Sequence, residues 1–146
     1  MRSDFSKRSV TMPVKCGQAS ERTLMDIYRL AYWLEDLVPE IVELDEYLFV
    51  NRFGQSAAEL NAGTRSYKSM TEAQSWMNIV LLDGFICEVV GSEWQSDDPS
   101  AVRLLSIFER AWSHQVRALY PAVSFTIERL VDDESGDLGL RLLSKT

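Results

Sequence analysis

The chain has 146 residues, which is the size of a single domain, and 46% of them are hydrophobic, which excludes wholesale disorder. It carries 15 Lys and Arg residues against 22 Asp and Glu residues, a net charge of -7 with a pI near 4.7. Such a surface repels phosphate backbones and anionic lipid heads, so we expect neither a nucleic-acid nor a membrane partner. It suits a basic protein partner, or an acidic face that is simply solvated.

The chain contains two cysteines, which fit neither a disulfide framework nor a metal site. Cys87 lies in an apolar run and is interpreted as a small buried hydrophobe, while Cys16 is predicted to be a free thiol. This usage is typical of a reducing compartment and predicts a cytoplasmic protein. No histidine pair, CxxC or HExxH motif is present, so we predict no metal ion and no cofactor.

Residues 1–19 contain four basic residues and one acid, and we interpret them as a flexible, mildly basic tail. A single α+β domain is predicted for residues 20–146, beginning with a helix over residues 20–38 that Ser20 caps. Trp33 lies off the apolar stripe of this helix. We predict that the stripe itself packs on the core: Leu24, Ile27, Tyr28, Ala31, Leu34 and Val38.

Residues 39–50 are predicted as a second helix that opens at Pro39, a residue tolerated in a first turn. Residues 47–50 could instead form a strand. Three apolar residues share one face of the predicted helix: Ile41, Leu44 and Leu48.

Two capping-box patterns predict further helix starts, one at Ser56 with Glu59 and the other at Thr71 with Gln74. The first of these helices is expected to be short and to end near Gly63, because glycine commonly follows the last turn of a helix.

The pair Asp83-Gly84 separates two apolar runs and is either a hairpin turn or the end of a helix. We favour a helix that ends at Leu82 and a strand over residues 85–90. Periodicity alone leaves residues 79–82 open between helix and strand.

Residues 98–119 are predicted as a long helix, because Pro99 lies near its start and Pro121 just beyond its end. Alternation of apolar and polar residues predicts a C-terminal antiparallel hairpin over residues 122–144. The order of elements predicts an α+β class, with helices covering one face of a small antiparallel sheet. The core face of the long helix is predicted to contain Ala101, Leu104, Leu105, Phe108, Trp112, Gln115 and Leu119.

His114 is the only histidine, so any Ser/His/Asp relay would have to use it, and no Gly-x-Ser-x-Gly motif is present. On the long helix His114 lies opposite the core face, which favours solvent exposure over catalysis. We therefore assign no catalytic residue and expect a protein without enzymatic activity.

Two charged features stand out. Residues 35–46 contain six acids and no basic residue, and we predict that these acids bind a basic protein partner: Glu35, Asp36, Glu40, Glu43, Asp45 and Glu46. The long helix carries a basic stripe that could meet an acidic partner, a ligand phosphate or carboxylate, or the acidic segment of a second copy: Arg103, Arg110, His114 and Arg117. A plain solvated face is the alternative for each.

The leading hypothesis is a non-enzymatic, acidic protein-binding module that docks a basic protein. Its size and charge resemble those of immunity proteins, antitoxins and secretion chaperones at the level of composition alone. One alternative is a homo-oligomeric structural subunit, such as a homodimer, that associates through the basic stripe and Trp33. A further alternative is a small-molecule-binding or catalytic cavity lined by Tyr28, Trp76, Trp112 and Phe125.

Overall fold

The structure is a computed structural model that describes residues 27–91, 93–132 and 137–145, so the predicted tail over residues 1–19 lies outside it. Within the described ranges, five helices and five strands confirm the predicted α+β class. The helices are α1 (Ile27–Leu37), α2 (Ala57–Thr64), α3 (Met70–Met77), α4 (Asp83–Val90) and α5 (Pro99–Leu119). The strands are β1 (Glu40–Leu44), β2 (Tyr47–Asn51), β3 (Ile79–Leu81), β4 (Ser124–Asp132) and β5 (Asp137–Lys145).

The strands form two antiparallel sheets, a β1–β2 hairpin and a three-stranded sheet in the order β3-β5-β4. The predicted C-terminal hairpin is confirmed as β4 and β5. As the central strand, β5 places three leucines at alternate positions on the core side: Leu138, Leu140 and Leu142. Their side chains are almost completely buried, so β5 joins the sheet to the helices.

Helix α5 lies close to its predicted bounds. Its start at Pro99 is capped by Asp98, whose side chain accepts a hydrogen bond from the Ser100 amide at 2.7 Å. One prediction for its core face is wrong: Leu119 is 56% exposed, because it is the last residue of the helix. The buried face of α5 contains Ala101, Leu105, Phe108, Trp112 and Val116.

Two side-chain amides and a hydroxyl connect the sheets where β2 faces β5. The Gln74 side chain donates to the Leu48 carbonyl at 3.0 Å and to Ser144 Oγ at 2.6 Å, and it accepts from the Ser144 amide. One helical turn later, the Asn78 side chain donates to carbonyls of both strands and accepts from a β2 amide at 2.9 Å. We call this set of hydrogen bonds the bridge between the sheets. It provides partners for buried backbone N–H and C=O groups of β2 and β5, which would destabilise the fold if they were left without partners.

Residues 39–50 form the β1–β2 hairpin, so the predicted second helix is wrong and the strand alternative for residues 47–50 is right. The strand register leaves Asp45 and Glu46 as a two-residue loop, with φ angles of 48° and 69°. Such loops usually carry Asn-Gly or Asp-Gly. Because no glycine marks this loop, the three-residue spacing of the neighbouring apolar residues resembles a helix.

The strand and the helix around Asp83 occur in the reverse of the predicted order, with β3 before it and α4 beginning at it. Residues 79–81 form a strand because they pair with the central strand β5, where the Val80 side chain is completely buried. Gly84 lies in α4 and allows a close approach: a Cβ atom there would lie 3.2 Å from the Trp33 ring.

The first capping box is confirmed at α2, where Ser56 and Glu59 bond reciprocally. Helix α2 ends at Thr64, one residue beyond the predicted Gly63. The second capping box is wrong, because Ser69 caps α3 and Gln74 lies in the buried bridge between the sheets.

Cys87 is half-buried and disulfide-bonded, so the prediction that it is a small buried hydrophobe is wrong. The prediction for Cys16 lies outside the described residues. The disulfide removes the cysteine argument for a reducing compartment, because such bonds are rare there. Among the described residues, no helix combines the length and the apolar character needed to cross a membrane.

Candidate protein-binding surface

One side of helix α1 packs against the rest of the protein, and this side contains aromatic and polar residues. The Trp33 ring packs against Phe85 with centroids 5.5 Å apart, and its Nε1 atom donates to a Glu88 carboxylate oxygen at 2.9 Å. Trp112 of α5 donates its Nε1 hydrogen to the Asp36 carbonyl, also at 2.9 Å. Trp33, which lies off the predicted stripe, is therefore half-buried and anchors α1 to α4.

The opposite side of α1 is apolar and faces solvent. Ile27 is 86% exposed, Val38 61% and Leu34 49%. Residues at these spacings lie above one another on a helix, so they form one continuous strip. We call this strip the apolar stripe: Ile27, Leu30, Ala31, Leu34 and Val38.

The prediction that this stripe packs on the core is wrong. Trp33, Asp36 and Leu37 together turn the other side of α1 inward, because each has a partner on a distant element or in the core. Tyr28, which we placed on the stripe, is likewise 76% exposed. Leu24 lies outside the described residues.

Asp36 belongs to the interior and not to the predicted binding surface. Arg52 donates two hydrogen bonds of 2.7 Å to its carboxylate, which is almost completely buried. Burial raises the pKa of Asp36, and the hydrogen bond and the charge of Arg52 oppose that shift. The fork of the guanidinium satisfies both carboxylate oxygens, so Asp36 fastens α1 to the end of β2.

The remaining five acids are exposed and belong to the last turn of α1 and to the β1–β2 hairpin that follows it. We call them the acidic rim: Glu35, Glu40, Glu43, Asp45 and Glu46. Glu35 lies one helical turn from Ala31, and Glu40 follows Val38 by two residues. Glu40 also accepts a hydrogen bond of 2.6 Å from the Asn51 side chain. None of the ion pairs among the described residues involves the rim.

Tyr120 lies close enough to two carboxylates of the rim to be affected by their charge. Its hydroxyl donates to the Ile41 carbonyl at 2.9 Å. Partial burial raises the pKa of Tyr120, and the negative charges of Glu43 and Glu40 raise it further. The two carboxylates therefore act on the same region of the surface, although they belong to opposite faces of β1.

Two acids of the rim occupy strained positions. Asp45 and Glu46 both have positive φ angles, which cost an L-residue roughly 1–2 kcal/mol relative to the ordinary helical region. Glycine or asparagine would relieve this cost. The hairpin tip therefore carries two carboxylates at positions where stability alone favours other residues.

The basic stripe lies on the outer side of α5, where all four of its members are exposed: Arg103, Arg110, His114 and Arg117. Arg117 also lies over the Phe125 ring, 5.8 Å from its centroid. The stripe belongs to α5, whereas the acidic rim belongs to α1 and the β1–β2 hairpin.

The aromatic residues proposed to line a cavity do not converge. Tyr28 is 76% exposed and Trp76 is 52% exposed, whereas Trp112 is completely buried in the core. Phe125 is covered in part by Arg117. Among the described residues, no group of three or more His, Cys, Asp or Glu side chains could hold a metal ion.

No protein-family model matches this chain, and neither a curated protein nor a solved structure is significantly similar to it. The exposed apolar stripe and the acidic rim therefore carry the functional argument.

Proposed function

We propose that the protein is a binding module that docks a basic, amphipathic segment of a partner protein on the apolar stripe and the acidic rim. The observation that carries this proposal is the orientation of α1, whose apolar side faces solvent while its polar side is packed inward. A helix is normally oriented the other way, and a contiguous exposed apolar strip indicates an interaction site.

The rim defines the chemistry of the partner. Five exposed carboxylates lie on the last turn of α1 and on the hairpin that follows it, and between Arg29 and Arg52 the chain contains no basic residue. A partner with apolar side chains at helical spacing would fill the stripe, while lysine or arginine side chains would face the rim. Anionic lipid and nucleic acid are disfavoured because the same carboxylates repel their phosphates.

A synthetic peptide tests this chemistry. We would titrate the protein with a peptide of leucine and lysine whose leucines recur at three- and four-residue steps, and measure heat release. We expect saturable binding that weakens as salt is added, because charge attraction contributes to it. The same peptide with glutamate in place of lysine should not bind, and binding of both peptides alike would contradict the proposal.

Charge reversal locates the site. The double variant Glu35→Lys/Glu43→Lys should lose at least about tenfold in peptide affinity, because two rim carboxylates become like charges of the peptide. The double variant Glu93→Lys/Asp97→Lys is the matched control, because both residues are exposed and lie outside the rim. Equal losses in the two variants would show that net charge, and not the rim, attracts the peptide.

A further inference from the structure

We infer that one partner of the apolar stripe and the acidic rim is a second copy of this chain, which docks there with the outward side of its α5. This inference rests on the proposed function, because it names a partner for the same surface. It connects two surfaces of opposite charge that lie on different elements, the rim on α1 and the β1–β2 hairpin and the basic stripe on α5.

The outward side of α5 is basic although the protein as a whole is acidic. Of the described helices, only α5 has exposed basic side chains. Its single acid, Glu109, is ion-paired with Arg129 of β4 at 2.6 Å. The ion pairs within the described part of the chain include none of the three arginines of the basic stripe. These arginines therefore have their charge available for a carboxylate of another molecule.

An exposed isoleucine lies among the residues of the basic stripe. Ile107 is 38% exposed, with Arg103 four residues before it and Arg110 three residues after it. Side chains at these spacings are neighbours on one face of a helix. The outward side of α5 thus combines an apolar centre with a positive charge one helical turn to either side. This is the chemistry that the proposed function requires of a partner.

Helix α1 has the same spacing with the opposite charge. Glu35 lies four residues after Ala31 and three residues before Val38, and both of these are members of the apolar stripe. One contact between α1 of one copy and α5 of another can therefore bury Ile107 against the stripe and pair an arginine with Glu35.

Contacts between identical surfaces are less favourable than this contact between unlike surfaces. Two α1 helices would bring acids against acids, and two α5 helices would bring arginines against arginines. Each copy has a net charge of -7, but at physiological ionic strength this repulsion is screened beyond about 8 Å. The local pairing of opposite charges therefore decides which surfaces meet.

We expect the association to be weak and sensitive to salt, because exposed ion pairs contribute at most about 1 kcal/mol each. Dilute protein is then monomeric, so the peptide titration measures the free surface. In concentrated protein, the average mass measured by sedimentation equilibrium should rise with protein concentration and fall when salt is added.

Charge reversal in the full chain tests which surfaces meet. Arg103→Glu/Arg110→Glu reverses the basic stripe, and Glu35→Lys/Glu43→Lys reverses the rim. Each variant alone should associate at least about tenfold more weakly than the wild type, because like charges then meet. An equimolar mixture of the two variants should associate again, because the intact basic stripe of one meets the intact rim of the other.

The matched control is Arg65→Glu/Lys68→Glu, which changes the net charge by the same amount at two exposed residues outside α5. It should associate like the wild type. An equal loss in the control and in the variant of the basic stripe would be a net-charge effect and would overturn the inference.

The remaining outcomes separate the inference from the proposed function. A wild type that stays monomeric up to about 1 mM, or a mixture of the two variants that stays monomeric, would overturn the inference. The proposed function would then stand if the leucine–lysine peptide binds the variant of the basic stripe as it binds the wild type. Failure of the peptide to bind any of these proteins would contradict the proposed function, and the inference with it.

Discussion

The molecule contains two units in which a helix is followed by an antiparallel hairpin, and they are built in opposite ways. In the C-terminal unit, α5 buries its apolar side and exposes arginines, and β5 buries alternate leucines. In the N-terminal unit, α1 exposes its apolar side and buries Asp36, and its hairpin turns through two strained acids. The C-terminal unit follows the requirements of a core, whereas the N-terminal unit departs from them on the exposed side of α1 and at the tip of the hairpin.

The contrast separates residues that folding explains from residues that it does not explain. Residues that satisfy packing and backbone preference are explained by folding alone, and nearly all of α5, β4 and β5 is of this kind. The exposed apolar stripe and the positive φ angles of Asp45 and Glu46 are not explained in this way. A contact with a basic, apolar segment would compensate for both departures at once.

The largest expected effect concerns the inner side of α5. Trp112→Ala should lower the free energy of unfolding by about 3–5 kcal/mol, because it removes a completely buried indole and its hydrogen bond to the Asp36 carbonyl. Urea unfolding measures the loss. A loss below about 1 kcal/mol would contradict the view that α5 anchors the core and, through Asp36, α1.

The second largest loss of stability is expected on the inward-facing side of α1. Asp36→Ala should cost about 3 kcal/mol in urea unfolding, because it leaves the largely buried Arg52 guanidinium without its carboxylate. The double variant Asp36→Ala/Arg52→Ala should recover part of this loss, since no unpaired charge then remains. If the single variant were as stable as the wild type, the polar side of α1 would not be packed inward.

The pH dependence of stability tests the burial of the Asp36 carboxylate. Burial raises the pKa of Asp36 above its ordinary value of 3.8, so the folded protein binds this proton more tightly than the unfolded chain does. The resulting stabilisation is complete below pH 3.8 and is lost as the pH rises through the folded-state pKa.

We therefore expect the wild type to lose stability relative to Asp36→Asn as the pH rises through that window. Urea unfolding of both proteins at a series of pH values gives the difference directly. A difference that grows in favour of the wild type with rising pH would indicate a lowered pKa and a solvated carboxylate.

A smaller effect is expected at the hairpin tip. Glu46→Gly should raise the free energy of unfolding by about 0.5–1 kcal/mol, because glycine adopts the positive φ angle of 69° without steric cost. Glu43→Gly is the control on the same hairpin and should be destabilising, since glycine weakens a strand. If both substitutions lowered the free energy of unfolding, the positive φ angle of Glu46 would not be a source of instability.

Sequence patterns predict the C-terminal unit because its signals are local: Pro99 and Pro121 at the two ends of the helix, and alternation along β5. The N-terminal unit depends on contacts that no local pattern contains. Trp33 turns inward because Glu88 and Phe85, more than 50 residues away, receive it. Asp36 is buried because Arg52 reaches it.

The sequence predicts only part of the candidate site, because the rest of it depends on contacts between residues far apart in the chain. The exposed acids follow from charge density alone, so five of the six predicted acids lie on the surface. The apolar stripe was recognised from its spacing but assigned to the wrong side, because periodicity identifies an apolar face without showing what covers it. The turn at Asp45 and Glu46 concealed the hairpin, because Glu46 stands where such turns usually carry glycine.

The measurement that tests the central claim most directly is titration of the leucine–lysine peptide into two single variants, Leu34→Gln on the apolar stripe and Ile107→Gln on α5. These side chains are exposed to a similar extent, 49% and 38%, so both variants should keep the stability of the wild type within about 0.5 kcal/mol. We predict that Leu34→Gln weakens binding by at least about tenfold while Ile107→Gln leaves it unchanged. Equal affinities for the two variants would contradict the assignment of the outward side of α1 as a binding surface.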